Sequence, residues 1–243
     1  MLLPIVQGGH SAAGNVVTIA LTTESDVSIL TKAVAAGYDN SKKGTIAVTL
    51  ASGQNLTASS ISNYALRTGA LNAETALTIS ITGSVCGKDG TNRTGSASAG
   101  VNGTAGGNAG NALHLEYQPS GSGSISVTVN SGGVIGGGSG GAGQGGGAGQ
   151  RRNESCDGKG NCSCTGSPIT GSGGGAGSAR TGCRALAGNA GGSGSYGGGS
   201  SGCHVTSPGS GGSGGSAGAA ISESTSGIVY SLTNNGNVYG ATA

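Results

Sequence analysis

Cysteine is the first residue type here with chemistry to weigh. The stretch "SCDGKGNCSCTG" carries Cys156, Cys162 and Cys164, Cys183 and Cys203 follow, and Cys86 stands alone upstream. Sulfur so placed can form disulfides, remain as thiols or bind a metal as thiolate. Zinc would find S and N donors in "CDGKGNCSC" and in the Cys203–His204 pair. Structural zinc sites use paired C-x₂₋₄-C spacings, whereas these are C-x₅-C and C-x-C. Disulfides are the favoured reading, and no metal or other cofactor is expected. Cys162 and Cys164 are too close in sequence to bond easily to each other, so each should have its own partner. Six cysteines permit fifteen pairings, and spacing does not choose among them.

Groups for catalysis do not assemble. His10, His114 and His204 stand beside no Ser/Asp or Cys/Asp set, and no carboxylate pair is evident. His114 alternates with leucine in "ALHLEY" and reads as a strand residue. "GSVCGKD" is not a phosphate loop, and G-x-G-x-x-G says nothing where glycine is everywhere. No enzyme is expected.

The charges do cluster. "QRRNESCDGKGNCSCTGSP" (150–168) gathers Arg151, Arg152, Glu154, Asp157 and Lys159 around Asn153, a large share of a chain with 8% charged residues. Smaller groups are Arg180 and Arg184 in "ARTGCRAL", Tyr196 in "SYG" and His204 in "CHVTSP". Arg and Tyr are common binding anchors, and Arg suits phosphate or carboxylate. Such side chains have no room inside a glycine-packed body, so they should mark loops that leave it.

The elements that must position these loops are unusual. Of 243 residues 56 are glycine, with 4 proline and no Trp or Phe, so a core of large side chains looks out of reach. Collagen fails, because its glycines keep a strict period of three beside abundant proline. A net charge of +2 is too small for a nucleic-acid footprint. No apolar run approaches the ~18 residues needed to span a membrane. "MLLPIV" lacks a basic flank, so no signal peptide is expected.

The first third reads as an α+β unit. Alternating β-branched residues predict strands over 14–22, 44–52 and 76–83. Residues 25–37 predict a short helix with Ile29, Leu30, Ala33 and Val34 on one face. Ser25 or Asp26 would cap it and Gly37 would end it. A repeat then appears: "LTISITGSVCG" (77–87), "ISVTVNSGGVIG" (125–136) and "VYSLTNNGNVYG" (229–240). Each is a strand, a small polar turn, an apolar pair and a glycine. The first two lead into glycine-rich tracts, 103–112 and 132 to about 220, and the third closes the chain.

Glycine tracts between strands suggest stacked excursions. A glycine chain can adopt the extended three-residue-per-turn helix, whose N–H and C=O groups point outward. Side by side, such helices pair their backbones laterally. The expected fold is therefore mainly β and irregular. Residues 1–82 would form an α+β attachment and oligomerisation unit. Residues 83–243 would form a bundle of polyglycine-II-type helices between short strands.

The unit "SILTKAVAAGYDNSKKGTIAVTLASG", the repeat "TISITGSVCG", the Gly/Ala/Asn tracts and "NNGNVYG" resemble the glycine-rich tips of tailed-bacteriophage tail-fibre and tail-tip proteins. The glycine layout is similar to the distal adhesin of T-even-like phages. The resemblance implies a virion protein, assembled in the host cytoplasm, in contact with other tail proteins and with a bacterial surface receptor. It implies a homotrimer and receptor contact through loops that interrupt the glycine helices. Those loops carry Arg151, Arg152, Asn153, Glu154, Asp157, Lys159, Arg180, Arg184, Tyr196 and His204. Disulfides closing after lysis would reconcile six cysteines with cytosolic assembly. Sequence does not separate this reading from a purely structural spike or baseplate part. An extracellular ice-binding or matrix protein, which would usually carry a signal peptide and long uninterrupted repeats, fits less well.

Overall fold

The computed structural model describes residues 15–157, 159–170, 172–177, 183–195 and 203–243. The chain winds in successive turns that lay strands onto three parallel sheets. The first turn gives β1 (Asn15–Leu21), β2 (Glu24–Ser25) and β3 (Val27–Ser28), followed by α1 (Ile29–Ala35). The second gives β4 (Gly44–Leu50), β5 (Asn55–Thr57) and β6 (Leu66–Arg67). The third gives β7 (Ala76–Ile81), β8 (Ser84–Cys86) and, after a glycine-rich excursion, β9 (Leu113–Leu115). The fourth gives β10 (Ser124–Val129) and β11 (Val134–Gly136). A long excursion then carries β12 (Gln150–Cys156), β13 (Cys162–Thr170) and β14 (Cys203–Thr206) before β15 (Ile221–Glu223) completes the turn. The last turn gives β16 (Ser231–Asn234) and β17 (Asn237–Tyr239). The sheets run β1-β4-β7-β10-β16, β2-β5-β8-β11-β17 and β3-β6-β9-β15.

Register explains why this winding is stable. Val17, Ile46, Leu77 and Ile125 are stacked neighbours on one ladder, as are Leu21, Leu50, Ile81 and Val129 on another. Leu56, Val85, Ile135 and Val238 line the second sheet. Val27, Leu66, Leu113 and Ile221 line the third. All but Val238, which is partly buried, are buried in a single apolar core. Alternation on β1, β4, β7 and β10 leaves their other face exposed or half-buried. The corner between β7 and β8 needs a glycine: a Cβ at Gly83 would sit 2.3 Å from the Gln54 carbonyl oxygen.

The predicted strands appear as β1, β4 and β7, and the helix as the shorter α1. Its cap is Ser28, whose hydroxyl accepts from Thr31 N–H, rather than Ser25 or Asp26. Gly37 ends it at φ +94°. Val34 faces solvent, since α1 buries only Ile29 and Ala33.

The expected fold class is corrected here. No helix bundle is present, and α1 is the single α-helix among the described residues. Strands in parallel sheets carry the architecture, because apolar ladders stacked by the turns supply the core that composition seemed to deny. The boundary drawn at residue 82/83 falls between β7 and β8, and each parallel sheet takes strands from both sides of it.

The glycine excursions are extended segments tied to one another through the backbone. Residues 136–149 run centrally and are buried almost throughout. On one side Gly87, Gly90 and Arg93 donate to the carbonyls of Gly136, Ser139 and Ala142, a step of three residues each time. Gly138, Gly141, Gln144 and Gly147 donate to Gly110, Gly107, Thr104 and Val101. Gly209, Gly212, Gly215 and Gly218 donate in turn to Gly147, Gln144, Gly141 and Gly138. Asparagines help: the Oδ1 atoms of Asn102, Asn108 and Asn111 accept from the N–H of Ser210, Ser216 and Ala219, at a constant separation of 108 residues.

Candidate functional site

The charge-rich stretch is an antiparallel sheet, not the loop its composition suggests. Strand β12 pairs with β13 on one side and β14 on the other. Two disulfides staple it, Cys156–Cys162 at the end of the hairpin and Cys164–Cys203 across to the excursion's later strand. The third, Cys86–Cys183, ties the excursion to the end of β8. All six cysteines are therefore paired, and Cys162 and Cys164 have different partners. Glu154 comes near Cys156 and Cys162 as a metal-ligand cluster would, but those sulfurs are bonded to each other.

Asp157 shapes the hairpin turn. Its Oδ1 accepts from the backbone N–H of Lys159 and Asn161, at 2.9 Å each, and its Oδ2 from the Asn161 side chain at 3.1 Å. Donors aimed at the ionised form, the Asn161 N–H foremost, hold the carboxyl below its ordinary range. Gly160 takes φ +82° in the same turn, a conformation costly for side-chain-bearing residues.

The sequence candidates separate on this frame. Arg152, Glu154, Asp157 and Lys159 are exposed on β12 and its turn. Arg184 is exposed next to Cys183. Arg151 is different: it is 5% exposed, and its Nε has no hydrogen-bond partner. It belongs to the packing of the sheet. Asn153 lies on β12 opposite Thr165, and His204 on β14 opposite Arg151. Arg180 and Tyr196 lie outside the described residues.

One cluster escaped the sequence reading. On the third sheet Arg67 and His114 are register partners, as are His114 and Ser222. The His114 ring stacks on Tyr64, centroids 3.9 Å apart and planes within 6°. Its Nδ1 lies 3.0 Å from the Ser222 hydroxyl. Burial pushes the imidazole pKa down, against the pull of Glu116. The alternation in "ALHLEY" placed His114 on a strand, but nothing in it pointed to Tyr64.

Parallel apolar ladders, a glycine-packed excursion and a disulfide-stapled charged sheet make up the fold. No helix among the described residues is long and apolar enough to cross a membrane. Residues 15–243 match the family described as phage tail fibre adhesin Gp38, and the chain belongs to that family. It is thus a tail-fibre adhesin, a virion component that binds the host cell. No curated protein matches. Among solved structures the chain is similar to the gp37-gp38 adhesin tip complex of the bacteriophage S16 long tail fibre. Identity is 17%, coverage is 92% of this chain and 81% of that one, and the TM-score is 0.35.

Proposed function

We propose that this adhesin meets its receptor through the stapled sheet β12–β14. The observation that carries the reading is the exposure of Arg152, Glu154, Asp157 and Lys159 on a hairpin closed by Cys156–Cys162. A hairpin fixed in advance loses little entropy on binding. Exposed Arg and Lys offer charge-assisted hydrogen bonds to phosphate or carboxylate groups of a bacterial surface. Arg184 is a second contact on the same excursion, beside the Cys86–Cys183 bond.

Charge reversal tests this. Arg152→Glu with Lys159→Glu should cut phage adsorption at least about tenfold, the loss of one or two charge-assisted bonds, while particles assemble normally. Unchanged adsorption by intact particles would make the sheet a structural element only. Arg151→Glu is expected instead to damage the sheet itself, because it buries a new unpaired charge.

A fibre adhesin has to be carried by the fibre, so we also infer association with another tail protein. A homotrimer is not required to bury the core, since one chain encloses Leu56, Leu66 and Leu113 completely. Light scattering on the isolated protein should give a single chain of 22.5 kDa. Three times that mass would restore the trimer.

A further inference from the structure

Beside the Tyr64–His114 stack, outside the excursion, lies a cavity of about 160 Å³ lined by Asp26, Ser62, Asn63, Tyr64 and Arg67. Its polar groups are held in place. Asp26 adopts φ +55°, a left-handed conformation that aims its side chain across to the next turn of chain. There Oδ1 accepts from Ser59 N–H at 2.9 Å, and Oδ2 accepts from Asn63 Nδ2 at 3.0 Å and from the Ser59 hydroxyl. Burial works against ionisation of this carboxyl, yet these bonds and Arg67 hold its pKa below the ordinary range. Asn63 also donates Nδ2 to the Ser59 hydroxyl at 3.1 Å, which leaves its amide oxygen to accept. Arg67 faces Glu116 at 3.8 Å, an ion pair too long for a hydrogen bond, so its guanidinium fork stays open. Glu116 is itself fixed by Gly69 N–H at 2.6 Å.

We infer that this cavity is a saccharide subsite, taking one sugar ring that bears a carboxylate or phosphate. A sugar ring presents neighbouring hydroxyls, and Asp26 and Asn63 offer acceptors for them. Its C–H face needs an aromatic surface, and Tyr64 lines the cavity while backed by His114. The anionic substituent matches the planar fork of Arg67. The volume is well below the ~300–1,000 Å³ of sites for drug-sized ligands, so a single ring is the natural occupant. The subsite deepens the host-contact reading and rests on it for the source of the sugar. Its residues belong to the wound body of three parallel sheets, the solenoid, rather than to the stapled sheet.

The test is ligand-observed and protein-observed NMR on the full, disulfide-bonded chain. The probes are glucuronic acid, glucose 6-phosphate and glucose. At least one acidic sugar should bind with a Kd of ~1–10 mM, as a dozen heavy atoms allow, and glucose about tenfold more weakly. Arg67→Gln should abolish the preference for the acidic sugar, Arg67→Lys should keep part of it, and Tyr64→Ala should weaken all binding. Unchanged methyl shifts of the core show that each variant is folded. Arg152→Glu should leave sugar binding intact, so failure of the stapled-sheet reading and failure of this one are told apart. Equal binding of glucose and both acids, retained preference in folded Arg67→Gln, or no saturable shift with any probe would overturn the proposal.

Discussion

Leu66 and Gly141 are both buried, but in unlike surroundings. Leu66 is fully enclosed by side chains on a ladder with Val27 and Leu113. Gly141 is enclosed by backbone: a Cβ there would lie 2.0 Å from the Thr91 carbonyl oxygen. The solenoid is stabilised by apolar area removed from water, at roughly 25 cal/mol per Å². The excursions have little such area. They rely on lateral hydrogen bonds, at ~0.5–1.5 kcal/mol net each, against the larger entropy loss of ordering glycine. A body of that kind needs firm ends. The solenoid provides them at β8, β9, β11 and β15, where the excursions leave and return, and Cys86–Cys183 adds a covalent tie.

That tie gives the largest expected effect. It spans 97 residues, whereas Cys156–Cys162 spans 6. In the chain-entropy account a loop of that length is worth ~4.7 kcal/mol, and the short one about 2. The double variant Cys86→Ser/Cys183→Ser should lose amide-exchange protection across 136–149 and 185–195 while β4, β7 and β10 stay protected. The pair Cys156→Ser/Cys162→Ser should affect the hairpin alone. Equal loss of protection in solenoid and excursion would show that the two regions fold as one unit, and the contrast would fail.

Point substitutions sharpen the same contrast. Leu66→Ala should cost ~2–5 kcal/mol in urea unfolding, the usual range for a core leucine. In the excursion adjacent glycines should behave oppositely. A Cβ at Gly174 would meet the Gly192 carbonyl oxygen at 1.9 Å, while one at Gly175 meets nothing within 4 Å. Gly174→Ala should cost ~1–3 kcal/mol, as overpacking does. Gly175→Ala should be neutral or stabilising by up to ~1 kcal/mol, through the unfolded chain. Like costs at both positions would mean that backbone contact is not what the glycines serve.

How far the sequence revealed this differs between the regions. The repeat at 77–87, 125–136 and 229–240 is the corner between the first two sheets in the third, fourth and fifth turns. The first two turns carry the same corner, but β2 is only Glu24–Ser25 and β5 has one apolar residue, Leu56, between Asn55 and Thr57. Strands of two or three residues, as in β3 and β6, are too short to show a period. So the N-terminal third looked like a separate α+β unit, although its apolar residues join the common ladders. In the excursions the partner of a given N–H lies up to about a hundred residues away, as with Gly103 and Ser210, and composition carries no register. Strand β12, "QRRNESC", has no apolar alternation at all. Its pairing is fixed by disulfides, which left the charged candidates legible but not their sheet, nor the burial of Arg151.

The smallest effect is electrostatic, and it separates the two regions by pH. Each relevant group has a folded pKa below its unfolded one, so the unfolded state binds more protons as pH falls. The stability it contributes is present above the unfolded pKa and is lost as pH drops through the folded one. In the solenoid the first group to protonate is His114, lowered by burial, and its window opens below an unfolded value near ~6.5; the lowered carboxyls of Asp26 and Asp39 follow only in the carboxylate range. In the stapled sheet it is Asp157, lowered chiefly by the Asn161 N–H, and its window opens only below ~3.9. Acidification should therefore perturb the Tyr64–His114 stack first, seen in imidazole and Tyr64 ring shifts, while the hairpin turn is unchanged. The Asn161 and Lys159 amides should shift at lower pH, as protonation removes their acceptor. Cys156–Cys162 keeps the strands together, so the change stays within the turn. Asp157→Asn should erase the second step and leave the first. A turn that titrates together with His114, or an Asp157 step at the ordinary carboxylate value, would show that its hydrogen bonds do not hold the hairpin.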